Sequence, residues 1–75
     1  MAKLPAISGK QLLSALKKAG FEEVRQKGSH VALRKMTPGK TYRTIIPLHR
    51  ELAKGTLRDI LKQSGVTKEE LVELL

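Results

Sequence analysis

The sequence predicts an α+β domain built from one helix, a three-stranded antiparallel sheet, a second helix and a short last helix. Three observations carry that reading. Apolar residues recur at helical spacing near both ends, the middle of the chain changes to a period of two, and turn residues interrupt that middle twice.

The first helix is predicted over roughly residues 9 to 19. Ser8 and Gln11 have the spacing of a capping box, and Ile7 precedes the cap where it can pack on Leu12 as a hydrophobic staple. Leu12, Leu13, Leu16 and Ala19 share one face, Lys10, Lys17 and Lys18 fall mostly outside it, and Gly20 supplies the stop. From Phe21 the alternation is that of a strand, and Gly28-Ser29 has the Gly-first pattern of a two-residue type II′ hairpin turn. If Lys27 faces His30, then Gln26 faces Val31, Arg25 faces Ala32, Val24 faces Leu33 and Glu23 faces Arg34. Val24, Val31 and Leu33 would then form the core face, leaving Arg25, Lys27, His30, Ala32 and Arg34 on the other. A second turn at Thr37-Pro38-Gly39-Lys40 leads to a third strand, about Thr41 to Ile46, ended by Pro47. The adjacent Ile45-Ile46 pair leaves its facing open.

After a loop containing His49, Leu57, Ile60 and Leu61 mark the second helix, and Gly65 ends it. Thr67 and Glu70 form a second capping box, with Val66 and Leu71 as its staple, opening a short helix that ends in Leu74 and Leu75. Residues 1–75 are therefore expected to be a single domain. Its helices would cover one face of the sheet, so the other would be open to solvent or ligand.

Fifteen Lys and Arg against seven Asp and Glu give a net charge of +8. A field of that size favours polyanions, nucleic acid first, then an acidic protein or an anionic membrane. Phe21 and Tyr42 are the only aromatic residues, which argues against an aromatic base-stacking platform. The chain has no cysteine, so thiolate nucleophiles, disulfides and Cys-type zinc sites are excluded. No apolar run approaches the roughly 18 residues of a membrane span, and the N-terminus lacks the apolar run of a signal peptide. A cytoplasmic protein without a membrane partner is expected.

The chemistry-bearing candidates are the two histidines. His30 belongs to the open face among cations, where it is either a surface residue of no consequence or a general base. Lys27, Arg25 and Arg34 should disfavour the imidazolium, and they suit a phosphate, with Ser29 beside them. An imidazole working without a metal needs a substrate that carries its own nucleophile, which RNA does through its 2′-OH. No metal-ligand spacing is visible among the histidines and carboxylates, and neither a metal nor a small-molecule cofactor is expected. Ser29 lacks a triad signature, and Gly28 is a turn glycine far short of a phosphate loop. His49 is either a loop residue bonded to backbone near the second helix or a general acid for a leaving 5′-oxygen.

The ordered segments "KKAGF", "VRQKGSHVALR", "IPLH" and "KGTLRDILKQSGVTKEEL" together resemble the HicA (YcfA-like) toxin family over nearly the whole chain. The resemblance implies a small fold similar to a double-stranded RNA-binding domain. It also implies an mRNA interferase that arrests translation, and a cognate HicB antitoxin that binds and occludes it. The family's essential histidine, in its G-[SG]-H motif, falls on His30, with Gly28 and Ser29 as its turn; its Pro-x-His motif falls on Pro47 and His49. Val31, Ala32 and Leu33 are aliphatic where the family often has aromatic or further histidine residues. Apart from a metal-independent endoribonuclease toxin, the residues would also suit a non-catalytic RNA-binding module or a basic protein that sequesters an acidic partner.

Overall fold

The computed structural model describes residues 3–75. Its elements follow the expected order: α1 (Gly9–Lys18), β1 (Glu22–Lys27), β2 (His30–Thr37), β3 (Lys40–Pro47), α2 (Lys54–Ser64) and α3 (Lys68–Leu74). The three strands form one antiparallel sheet in the order β1-β2-β3. Both capping boxes close. Gln11 N donates to Ser8 Oγ at 3.1 Å and Ser8 N to Gln11 Oε1 at 2.9 Å; Thr67 and Glu70 repeat the pattern at 3.2 and 3.1 Å. The two staples are buried, Ile7 with Leu12 and Val66 with Leu71, so each cap sets the angle at which its helix meets the core.

Leu12 and Leu16 of α1, Val31 and Leu33 of β2, Ile46 of β3, Leu57 of α2 and Leu71 of α3 are all but inaccessible. They lie between the sheet and the helices. Lys35 points to the same side, where its amine donates to the Ala19 carbonyl at 2.7 Å, next to the end of α1. The opposite face of the sheet carries His30, Ala32, Arg34 and Met36 from β2, with Arg43 and Ile45 from β3. Along β3 the unresolved facing is settled: Ile46 is buried and Ile45 is 57% exposed.

One expectation fails. Val24 does not join the core; it is 51% exposed, and β1 buries none of its residues. A β-bulge between Glu23 and Arg25 sets Glu23 opposite Leu33 and Glu22 opposite Arg34, whereas the pairs expected were Val24 with Leu33 and Glu23 with Arg34. The cause lies at the two ends of the strand. The Gly28-Ser29 turn places Arg25 and Lys27 on the open face, and strict alternation would put Phe21 there too. Phe21 is instead 4% exposed, and its N–H bonds to the Leu16 carbonyl at 3.0 Å. A one-residue bulge reverses the parity and lets both ends keep their places. It also lets each glutamate find a cation, Glu23 with Lys17 and Glu22 with Arg34.

The first turn of α1 is pressed against the end of β3. A Cβ on Gly9 would lie 2.1 Å from the Pro47 carbonyl oxygen and 2.8 Å from the Leu48 Cα. Gly9 N also donates to the His49 carbonyl at 2.9 Å. In an open helical position Gly→Ala stabilises by up to about 1 kcal/mol. Gly9→Ala is expected to do the opposite, costing about 1–3 kcal/mol through overpacking against backbone. Gly55→Ala in α2, where a Cβ meets nothing within 4 Å, is the control that should stabilise. Urea unfolding of both variants beside the parent reads the two signs; a stabilised Gly9→Ala protein would contradict the close packing of α1 on β3.

Candidate functional site

His30 is the first residue of β2, immediately after the hairpin turn. Gly28 has φ +59 and Ser29 does not share the left-handed conformation, so the backbone meets the type II′ requirement of a positive φ at the first turn position. The turn seats His30 directly opposite Lys27 on one side, and β3 brings Pro47 opposite it on the other. Two bonds hold the turn. Gln26 Nε2 donates to the Gly28 carbonyl at 3.1 Å, and the Leu48 amide donates to the Ser29 carbonyl at 2.7 Å. The His30 side chain is left exposed on a fixed backbone.

Around it lies a shallow pocket whose walls are Arg25, Lys27, Gly28, Ser29 and His30, and whose floor is Ala32 and Ile45. Ala32 and Ile45 are cross-strand partners, so a small and a large aliphatic side chain lie side by side in the pocket that His30 also lines. A wider groove continues along the sheet, past Val24, Arg34 and Arg43, to Thr56, Asp59 and Gln63 on one flank of α2. Arg34 and Arg43 face each other across β2 and β3. Arg34 is already engaged: its Nε and Nη2 donate to Glu22 Oε1 at 3.1 and 2.7 Å. Arg43 has no ion pair among the described residues.

The structure therefore brings together His30, Arg25, Lys27, Ser29 and Gly28 of the residues expected at the site. Arg34 stands four residues along β2 from His30 in the adjoining groove, tied to a carboxylate. His49 lies outside both cavities, exposed in the segment after β3. The backbone bond expected near it exists but belongs to its carbonyl, which accepts from Gly9 N; its imidazole makes no hydrogen bond among the described residues. Arg43 and Ile45 are members of the open face that sequence reasoning missed. The two-residue turn Pro38-Gly39 would have found them, because pairing Thr37 with Lys40 carries the register to Arg34 with Arg43 and Ala32 with Ile45.

Chemically, the site offers one exposed imidazole, exposed cationic side chains suited to an anion, and an aliphatic floor suited to a flat, weakly polar ring. Among the described residues no three His, Asp or Glu side chains gather into a group that could hold a metal ion, and no helix is long and apolar enough to cross a membrane. Residues 9–66 match a protein-family model described as the HicA toxin of bacterial toxin-antitoxin systems. None of the curated proteins compared with the chain matches it.

Proposed function

The chain belongs to the HicA toxin family of bacterial toxin-antitoxin systems, and from that premise we propose that it is a metal-independent endoribonuclease that cleaves mRNA in the cytoplasm with His30 as general base. The observation that carries this reading is the placement of an exposed imidazole at the rigid end of a hairpin, in one pocket with Arg25 and Lys27. The His30 imidazole removes the proton from a ribose 2′-OH, and O2′ attacks the adjacent phosphorus. Arg25 and Lys27 hold the phosphate and the charge that grows on its oxygens, with Ser29 at the rim. The bond to the 5′-oxygen breaks, and that oxygen leaves with a proton. Arg34 and Arg43 guide the flanking backbone along the groove, Arg43 the more strongly because Glu22 already neutralises part of Arg34's field. His49 is a second candidate, for delivery of that last proton, once RNA bridges it to the pocket.

An antitoxin partner goes with a toxin-antitoxin family. We read that partner as a HicB-like protein that presents acidic or acceptor groups over Arg25, Lys27 and His30, since a surface this cationic is costly to cover with anything unlike it. Alanine at Arg25 and Lys27 together should then weaken antitoxin and RNA in parallel. Titration of both ligands against the double variant tests it, and unchanged antitoxin affinity would place the partner elsewhere.

The mechanism fixes the products. RNA should yield a 2′,3′-cyclic phosphate and a 5′-hydroxyl, a chelator should leave the rate unchanged, and 2′-deoxyribose at the cleaved position should stop cleavage while binding persists. A 5′-phosphate on the product would mean activated water and a different mechanism.

The two histidines separate by substitution. His30→Ala leaves no core cavity, so stability should change by no more than about 0.5 kcal/mol, while single-turnover cleavage falls roughly 10²- to 10⁴-fold. His49→Ala should also leave stability within about 0.5 kcal/mol, because the anchor there is its main-chain carbonyl. A rate loss for His49→Ala at unchanged melting temperature would assign it the proton delivery. An active and toxic His30→Ala protein would remove His30 from the chemistry.

A further inference from the structure

The helix α2 separates its charges by flank. Its buried face is Leu57, Ile60, Leu61 and Ser64. Thr56, Asp59 and Gln63 lie on one side of that face and line the groove shared with the sheet. Lys54, Arg58 and Lys62 lie on the other, spaced four residues apart, all exposed, and none is ion-paired among the described residues.

That arrangement is locally unfavourable in two ways. Like charges four residues apart on a helix repel, and here the repulsion occurs twice in succession. Lys54 stands in the first turn, where the helix dipole disfavours a cation, and no acidic residue accompanies it. Asp59, the helix's only carboxylate, stands three residues before Lys62 but forms no ion pair with it among the described residues, and the Lys54–Arg58 pair has no carboxylate three or four residues from either member within the helix. A surface needed only for solubility intersperses its signs. Local rules broken together without a compensating contact mark a surface shaped for something outside the chain.

We propose that Lys54, Arg58 and Lys62 form a second RNA-phosphate track, on the flank of α2 turned away from the groove, which holds a distal stretch of the same RNA whose cleaved bond sits at His30. The repeat along the track is about 6 Å, four residues of helical rise. An evenly charged chain such as an RNA backbone meets such a ladder without needing any particular base. Beyond Lys62 the track opens onto a shallow hollow that Lys68 of α3 also lines, together with Arg58 and Glu69. The molecule measures only 30 × 30 × 19 Å, so a strand of modest length can pass from the sheet face around to this flank. Rate and grip are thereby divided: the pocket performs the chemistry, while the helix adds affinity for long RNA only.

This proposal rests on RNA being the substrate, and its test separates the two ideas. The triple variant K54Q/R58Q/K62Q is compared with the parent in binding to 2′-O-methyl oligonucleotides, one short enough to fill only the His30 pocket and one long, over a range of salt. Loss of three phosphate contacts should make the log-log salt slope for the long strand shallower by about 2, at about 0.7 per contact. Binding of the short strand and its single-turnover cleavage as unmodified RNA should not change. The variant's melting temperature should hold or rise, since repulsion has been removed, and the charge-preserving K54R/R58K/K62R protein should keep the parent's slope. An unchanged slope in a variant that binds long RNA as the parent does overturns the track while leaving the pocket's chemistry untouched. Weakened antitoxin binding with RNA unaffected overturns it as well, and makes the flank a protein dock. A parent that grips RNA with the expected salt slope but does not cleave it would sink the catalytic reading and leave the track standing.

Discussion

The contact on which the site depends is the one between the first turn of α1 and the end of β3. Gly9 lies against the Pro47 carbonyl with no room for a side chain, and its N–H is bonded to the His49 carbonyl. The adjacent Leu48 amide reaches across to Ser29 in the β1–β2 turn, and Leu52 N donates to the Ile7 carbonyl at 2.8 Å. Three segments far apart in sequence are thus tied by main-chain bonds within a few residues of His30. Because the bonds are backbone to backbone, they hold His30 and the segment carrying His49 in place without using either imidazole.

The strand β1 shows what such an anchor permits. Its six residues are all exposed, and its ties to the rest of the fold are its ladder to β2, the bond from Phe21 to Leu16, and the Glu23–Lys17 and Glu22–Arg34 pairs. An edge strand of that kind would invite pairing with another chain, but its charged residues and its bulge oppose that. What remains is an arm that projects Arg25 and Lys27 over the pocket. The bulge has a second consequence. By moving Val24 out of register it adds an exposed aliphatic side chain to the groove that runs from Ala32 and Ile45 toward α2, so the correction to the core is also an addition to the surface beside the site.

Much of this was legible in the sequence because it rests on local signals. The caps at Ser8 and Thr67, the Gly28 turn and the register from Lys27 and His30 to Arg25 and Ala32 each follow from a few neighbouring residues, and the open-face position of His30 follows from them. Val24 was misplaced for a physical reason: two strong local preferences, the turn at one end and the burial of Phe21 at the other, demand opposite parity, and a strand read in isolation shows only one of them. Arg43 and Ile45 were missed because Ile45-Ile46 gives no alternation, although the Pro38-Gly39 turn held the answer. The close approach of Gly9 was not legible at all, since a glycine in a helical first turn looks the same whether open solvent or the backbone of Pro47 stands opposite it.

The division of labour in the molecule follows from where its apolar residues go. In a chain this small, the core takes both faces' worth of packing from one side of the sheet and leaves the other side uncovered. The uncovered side cannot contribute much to stability, and for that reason it is free to carry groups that stability would otherwise exclude: an exposed imidazole, an Arg43 without an ion pair among the described residues, and a pair of aliphatic side chains in contact with water. The same freedom extends to the outer flank of α2, where cations stand in a row on a helix held by Leu57, Ile60 and Leu61. Burial of those three supplies several times the cost of the repulsion, since each buried aliphatic side chain is worth about 1.5–3 kcal/mol and each like-charge pair on a helix surface costs about 0.2–0.5 kcal/mol. The core is therefore what allows the surface to be written in charge. Substitutions at His30, Arg25, Lys27 or the α2 flank remove no buried contact and leave folding nearly untouched, whereas a single methyl group at Gly9 acts on folding and reaches the open face only by moving its frame.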